Sequence, residues 1–104
     1  MPLDVPRRGQ TRIAANHESM DEQTLFRRLA AGRFSNVRFE DFVRLVEAFG
    51  FRLDHIRGSH RIYVHHVVRD LLNLQPKNGQ AKPYQVREFM RLVAKHHLHQ
   101  ETDP

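Results

Sequence analysis

The stretch FRLDHIRGSHRIYVH, residues 51–65, decides the fold of this chain. Within it, residues 51–57 and residues 60–65 are two short runs that carry the branched and aromatic side chains favoured in β-strands. Gly58 and Ser59 stand between the runs and supply the two-residue connection of a tight hairpin. The sequence therefore predicts two adjacent antiparallel strands joined at this turn.

Helical patterns flank the hairpin on both sides. Apolar residues recur at helical spacing in residues 21–31 and 39–49, and Pro83 fits the first position of a final helix that frays near His97–His99. A third strand is predicted over residues 71–75. All strand connections are short, so we expect an antiparallel sheet with helices covering one face. The predicted fold class is α+β, a three-stranded antiparallel sheet in the order αβββα with an extra N-terminal helix.

The composition limits the kind of protein this is. With 104 residues the chain fits a single domain, which we place at residues 20–100. Residues 1–19, with two prolines and three arginines, are predicted to form a disordered basic tail. The lack of cysteine in the sequence excludes disulfides and thiolate catalysis. No apolar run suits a membrane span or a signal peptide, so we expect a cytoplasmic protein.

The positive charge is concentrated in the second half of the chain. The formal net charge is +5, from 17 Lys and Arg against 12 Asp and Glu, and residues 55–100 alone hold eight basic and two acidic side chains. Seven of the eight histidines fall in the same segment. Such a one-sided field concentrates polyanions, so nucleic acid is the favoured partner, with a merely solvated basic surface as the alternative.

His60 follows the predicted turn and is the main candidate for chemistry. An imidazole exchanges protons near neutral pH, so at the end of a strand it can act as a general acid or base. The alternative is a half-buried histidine bonded to a backbone carbonyl. His60, Ile62 and Val64 are two residues apart along the strand, so their side chains should share one face. This predicts that His60 lies on the helix-covered face and Tyr63 on the opposite face.

Other polar side chains are candidates for contacting phosphate. Ser59 in the turn and Arg57 before it flank the histidine, although turn serines and exposed arginines are more often simply solvated. Three basic residues share one ridge of the final helix and two lysines flank the loop before it, again with an ordinary solvated surface as the alternative: Arg87, Arg91 and Lys95, then Lys77 and Lys82.

The remaining histidines predict no metal site. His65 and His66 are adjacent in a strand and should point to opposite faces, so they could not readily share one ion. His96 and His99 lie close together on a helix, but no third ligand is placed to complete a site. We therefore expect neither a metal nor another cofactor.

Two parts of the sequence resemble the HicA mRNA-interferase toxins. The first part carries GF at residues 50–51, directly after an amphipathic helix, and RGSHRIY at residues 57–63. The second part carries LNLQP and AKPYQV within residues 72–86 and is similar to one branch of that family. The resemblance covers residues 38–98, and the order and spacing of the predicted elements agree with it.

This resemblance implies a fold similar to the double-stranded-RNA-binding domain and an endoribonuclease that cleaves mRNA, with His60 as the family's catalytic histidine. It also implies a HicB-like antitoxin protein as the partner that covers the site. The commoner pattern of the family carries Pro-x-His after the third strand, whereas Pro76-Lys77-Asn78 stands there in this chain. A second histidine for proton transfer is therefore missing from that position.

Three functions remain open from the sequence. A toxin would cleave mRNA without a metal, with the 2′-OH of the RNA as nucleophile, His60 as acid or base, and Arg57 or Lys82 as the cation. A non-catalytic module of the same fold would bind double-stranded RNA by shape, through the basic ridge of the last helix. A scaffold that binds only a protein partner would show little salt-dependent binding to RNA.

Overall fold

The computed structural model describes residues 19–101. The tail predicted over residues 1–19 lies outside this range apart from Ser19, and it stays a prediction. The described range contains three helices, each within two residues of its predicted bounds: α1 over Glu22–Ala30, α2 over Phe39–Ala48 and α3 over Pro83–Lys95. None of these helices combines the length and the apolar character needed to cross a membrane.

The helix ends follow from local chemistry. Asp21 caps α1 by accepting a hydrogen bond from the Thr24 amide at 2.8 Å, and this bond holds the pKa of the Asp21 carboxyl below its usual value. Pro83 occupies the first turn of α3, where its missing N–H costs nothing. The chain leaves α2 through Gly50 at a φ of +95°, which residues with a side chain rarely adopt.

The central sheet has three antiparallel strands in the order β1–β2–β3. The strands are β1 over Arg52–Arg57, β2 over His60–His65 and β3 over Val68–Leu74. β2 has its predicted bounds, whereas β3 begins earlier than predicted because Val68 already pairs with His65. The α+β class and the arrangement like that of the double-stranded-RNA-binding domain are thus confirmed.

The segment predicted as a loop before α3 is a second, small hairpin. β4, Pro76–Lys77, pairs with β5, Gln80–Ala81. Asn78 and Gly79 connect them with positive φ angles of 53° and 76°, as a type I′ turn requires. The hairpin ends beside Lys82, which lies directly before α3.

The hydrophobic core lies between the sheet and the helices. The rings of Phe42 and Phe89 are fully buried and meet edge to face with their centroids 5.6 Å apart, and Phe49 packs on Phe89 in the same way. Such aromatic pairs contribute about 0.5–1.5 kcal/mol beyond the burial of their area. Tyr63 and Leu72 complete the core from the side of the sheet.

The extra N-terminal helix belongs to this core. Leu25 and Leu29 of α1 are each 1% exposed. The buried carboxylate of Asp41 in α2 accepts hydrogen bonds from the Met20 amide at 3.2 Å and from the Ser19 hydroxyl at 3.3 Å. These contacts make α1 an integral layer of the domain.

The predicted facing of β2 is wrong. Tyr63 is 1% exposed and pairs with the equally buried Leu72, so their side of the sheet faces the helices. Burial also raises the pKa of the Tyr63 hydroxyl. His60 and Ile62 therefore lie on the open face. β2 is the central strand, so the strands on either side of it leave Ile62 only 9% exposed without a covering helix. The hydrophobicity of Ile62 therefore does not indicate which face of the sheet packs against the helices.

Candidate active site

His60 stands at the exit of the β1–β2 turn with one ring nitrogen held. Its Nδ1 lies 2.9 Å from the side-chain oxygen of Asn73 on β3. An amide oxygen only accepts hydrogen bonds, so Nδ1 donates in this pair. The other nitrogen, Nε2, has no hydrogen-bond partner among residues 19–101. One neighbour thus orients the imidazole while Nε2 remains available to exchange a proton.

Side chains beside His60 form a chain of hydrogen bonds. The side-chain Nε2 of Gln75 donates to the Ser59 hydroxyl at 2.7 Å, and its Oε1 accepts from Lys82 Nζ at 2.8 Å. The Gln75 backbone N–H donates to Gln85 Oε1 at 3.1 Å, and the side-chain Nε2 of Gln85 donates to the Tyr84 hydroxyl at 3.2 Å. The Gln75 side chain therefore connects Ser59 in the turn with Lys82 at the start of α3, and both of these residues are predicted to contact phosphate.

An open cavity of about 420 Å³ lies next to this network. β3 and the first turns of α3 form its walls. Its lining mixes polar and apolar side chains: His60, Leu71, Leu72, Asn73, Tyr84, Gln85 and Glu88. A concave site of this size with a few convergent polar groups is typical of ligand binding.

The cations predicted near His60 have different surroundings. Arg57 is exposed, pairs with His60 in the β1–β2 register, and forms no side-chain hydrogen bond or ion pair within the described range. Lys82 is held next to the turn through Gln75. Lys77 lies on β4 and lines a separate recess with Lys82. Arg57 and Lys82 therefore flank the turn from β1 and from α3.

Arg91, at the middle of the predicted basic ridge, is engaged by acidic side chains. Its Nε and Nη2 donate to the two oxygens of Glu88 at 3.0 and 2.7 Å, and an Asp70 oxygen lies 3.5 Å away. These hydrogen bonds lower the pKa of Glu88 and raise the pKa of Arg91. Two carboxylates therefore offset the charge of this arginine.

The other two residues of the ridge have different settings. The Arg87 guanidinium lies over the Phe34 ring, 5.4 Å from its centroid. Lys95, in the last turn of α3, is exposed and makes no ion pair within residues 19–101. The ridge is a partly neutralised surface, and its binding of RNA stays a prediction.

His65, at the other end of β2, has both ring nitrogens bonded to the main chain. Nδ1 accepts from the Val67 amide at 3.1 Å, and Nε2 donates to the Phe49 carbonyl oxygen at 2.9 Å. The residue is 7% exposed. Gly50 makes room for the ring, because a Cβ there would lie 2.8 Å from His65 Nε2. This histidine is part of the structure of the core.

A second cavity, of about 360 Å³, is lined by five histidines and a glutamate: His65, His66, His96, His97, His99 and Glu101. The His65 and His66 rings stack 4.7 Å apart at 12°, so the prediction that they point to opposite faces is wrong. β2 ends at His65, and His66 already lies in the turn. Ligating atoms of these two residues and Glu101 lie within 4.8 Å of one another. An ion on His65 would have to displace a main-chain hydrogen bond, which weighs against a metal here.

Several residues of the first cavity were not identified from the sequence. Asn73 alternates with the buried Leu72 and Leu74 on β3, and this alternation is the signal that places it on the open face. Tyr84 and Gln85 lie in the first turn of α3, directly after a predicted phosphate contact. No local pattern indicates that β3 brings Asn73 to His60.

Comparison with known proteins identifies the family. A family model described as the HicA toxin of bacterial toxin–antitoxin matches residues 39–94, more than half of the chain. Neither a curated protein nor a solved structure gives a match. The matched segment begins with α2, contains the whole sheet and most of α3, and so includes His60 and its polar neighbours. This chain therefore belongs to the HicA toxin family.

Proposed function

We propose that this toxin is an endoribonuclease that cleaves mRNA, with His60 as general acid or base and without a metal. The observation that carries the proposal is the His60 ring, which Asn73 fixes at Nδ1 while Nε2 remains open beside a cavity. The Ser59–Gln75–Lys82 chain adds a hydroxyl and a cation next to it. A role in a toxin–antitoxin pair follows from the family.

The proposed reaction uses the 2′-OH of the RNA as nucleophile. The 2′-oxygen forms a bond to the adjacent phosphorus, the bond from phosphorus to the 5′-oxygen breaks, and the products carry a 2′,3′-cyclic phosphate and a 5′-OH. His60 transfers one of the two protons, a contribution of about 10²–10⁴-fold to the rate. Water transfers the other proton, which makes the enzyme slow and suits a toxin held inactive until its release.

Lys82 and Arg57 are the proposed cations of this reaction. Negative charge increases on the phosphate oxygens in the transition state, and one positioned donor there contributes about 3–4 kcal/mol. The Lys82 ammonium has three donors and gives one to Gln75, so two remain for phosphate. The Ser59 hydroxyl accepts from Gln75 and can donate its own proton to the same phosphate.

A non-catalytic module that binds double-stranded RNA is the alternative. That function relies on the ridge of Arg87, Arg91 and Lys95 to follow the phosphate backbone. Glu88 and Asp70 offset the charge at the centre of this ridge. The neutralised ridge and the open His60 ring together favour the nuclease.

The proposed partner is a HicB-like antitoxin that covers the His60 cavity. Leu71 and Tyr84 line this cavity and are 57% and 61% exposed, and a protein partner would shield such large apolar side chains from water. A partner seated there would cover His60 and would therefore block proton transfer.

Cleavage of a long single-stranded mRNA in excess EDTA tests the proposal. The proteins compared are wild type, His60→Ala and His55→Ala, where His55 is an exposed histidine of the adjacent strand and serves as the matched control. We expect wild type and the control to cleave alike and to leave cyclic phosphate ends. His60→Ala should cleave more slowly by about 10²–10⁴-fold. Cleavage abolished by EDTA, or equal cleavage by His60→Ala, contradicts the proposal.

Induced expression separates the two candidate functions. Growth arrest by wild type that His60→Ala relieves supports the nuclease. Binding of an RNA duplex without cleavage products supports the module.

A further inference from the structure

We propose that the cavity beside His60 receives one unpaired guanine base of the substrate RNA. In this arrangement the base stacks on Tyr84, and its N1–H and N2–H groups donate to the carboxylate of Glu88. The inference rests on the proposed function, because it assigns a base of the same substrate to the same site. It makes the toxin selective for a nucleotide next to the cleaved bond.

The lining of the cavity suits a planar aromatic ligand. The volume is about 420 Å³, and two of its walls are the exposed side chains of Tyr84 and Leu71. Aromatic side chains are the usual stacking surfaces for unpaired RNA bases. The Gln85 amide nitrogen lies 3.2 Å from the Tyr84 hydroxyl, so the tyrosine is oriented before RNA binds.

Glu88 supplies the hydrogen-bond acceptors at the far end of the cavity. Arg91 takes one position on each carboxylate oxygen, at 3.0 and 2.7 Å. A carboxylate offers about four acceptor positions, so each oxygen can accept one further hydrogen bond. The same contacts with Arg91 lower the pKa of Glu88, which keeps the group ionised.

The pattern of these acceptors distinguishes between bases. Guanine presents two adjacent N–H donors on its Watson–Crick edge, which match the two carboxylate oxygens. Uracil presents a single donor between two carbonyl oxygens, and those carbonyls would face the negative charge of Glu88. Guanine is therefore the base that this end of the cavity favours.

The charged side chains around the cavity also indicate where the base and the phosphate of the nucleotide would lie. Asp70, Glu88 and Arg91 together carry a net charge of −1 from two carboxylates and one guanidinium, which disfavours phosphate at that end. At the His60 side, Lys82 does not line the cavity itself, but the Gln75 side chain links it to Ser59, the neighbour of His60. A nucleotide bound with its phosphate at His60 and its base toward Glu88 therefore matches the charges on both sides of the cavity. A base paired within a duplex cannot enter such a cavity, so the substrate is single-stranded there.

Binding of short RNA to the His60→Ala protein tests the inference without cleavage. The probes are fluorescent oligouridylates that carry guanosine, inosine or uridine at the central position, and the readout is anisotropy. We expect guanosine to bind about tenfold more tightly than uridine, as one bidentate base contact provides. Inosine lacks the N2 amino group of guanosine and should bind with intermediate affinity.

Variants of the cavity locate the contact. In the His60→Ala background, Glu88→Gln should remove the preference for guanosine: guanosine binding should weaken, and uridine binding should stay the same or strengthen because its carbonyl oxygens no longer face a negative charge. Tyr84→Leu should weaken the binding of all three probes by about tenfold, whereas Tyr84→Phe keeps the ring and the affinity.

Equal affinity for guanosine and uridine probes overturns the inference, and so does a preference that Glu88→Gln leaves intact. The inosine probe tests the same contact without any change in the protein, so a folding defect cannot imitate its result. If the probes show a clear guanosine preference but the wild-type protein fails to cleave RNA, the proposed nuclease is contradicted and the guanine site is not. If cleavage depends on His60 but the probes show no base preference, the guanine site is contradicted and the nuclease is not.

Discussion

The two histidines at the ends of β2 have opposite surroundings. His60 at the start is partly exposed and bonds through Nδ1 to one side chain, that of Asn73. His65 at the end is buried and bonds through both nitrogens to main-chain groups of Phe49 and Val67. The same side chain in the same strand is available for chemistry at one end and committed to the structure at the other.

The difference follows from what each end of the strand needs. Buried main-chain groups require hydrogen-bond partners, and His65 supplies a donor to the Phe49 carbonyl and an acceptor to the Val67 amide. At the other end the turn residues Gly58 and Ser59 are exposed to water, so their backbone groups do not need the ring of His60 as a partner. A histidine therefore becomes a candidate acid or base where the backbone around it is already satisfied.

The largest effect on stability is expected for His65→Ala. The Phe49 carbonyl and the Val67 amide would lose their partners and a cavity would open, so the free energy of unfolding should fall by about 3 kcal/mol. Urea unfolding measures this loss, with the exposed neighbour substituted as His66→Ala for control. The cleavage rate per folded molecule should stay unchanged. A stable His65→Ala protein that no longer cleaves RNA would reverse the roles of the two histidines.

Gly50→Ala tests how tightly the ring of His65 is held. The new Cβ would meet the carboxylate of Glu101 and would lie 2.8 Å from His65 Nε2 at a φ of +95°, so we expect a loss of about 2–3 kcal/mol in unfolding free energy. Gly58→Ala is the matched control, because it also has a positive φ, +62°, but meets open space. Its cost should be about 1 kcal/mol. Equal losses in the two variants would show that the His65 ring and the Glu101 side chain both move aside freely.

Asn73→Ala addresses the orientation of His60. Loss of the bond to Nδ1 should lower kcat about tenfold, or about 1.4 kcal/mol, with little change in KM. Asn73→Asp keeps an acceptor oxygen and should retain most of the rate. Steady-state cleavage of a short RNA measures both constants. An effect on KM alone, or an equal loss in the aspartate variant, would argue against a positioning role.

The smallest effect is expected at the far end of the His60 cavity, in the pair of Glu88 and Arg91. The pKa of Glu88 is lowered from its ordinary 4.5 in the folded protein. The pair therefore stabilises the fold above that ordinary value, and the contribution is lost as pH falls through the lowered pKa. Wild type should be slightly more stable than Arg91→Gln at neutral pH, since exposed pairs contribute little. The urea midpoints of the two should converge in acid, and a gap that widens there would contradict this reading.

Local chemistry made the hairpin predictable. The turn at Gly58 and Ser59 and the branched residues after it fix β2 at His60–His65, the bounds expected from the sequence. Asn78-Gly79 likewise predicts a turn, and the structure has one there, although the two short strands around it were not expected. In these segments the signal lies within a few neighbouring residues.

Features that depend on pairing between strands were not predictable in this way. The face of His60 follows from the core contacts of Tyr63, not from the hydrophobicity of Ile62. The bond to Asn73 depends on the β2–β3 register, which pairs Arg61 with Leu74. No pattern within a single strand contains that register.

The most direct test of the central claim measures cleavage and unfolding together for wild type and His60→Ala. The single-turnover rate in EDTA should fall by about 10²–10⁴-fold while the free energy of unfolding changes by less than about 0.5 kcal/mol. That combination is expected because the ring stands at the open end of β2 and supports no buried group. Equal rates in the two proteins, or a loss of rate that only follows the unfolded fraction, would contradict the assignment of His60 as the acid or base.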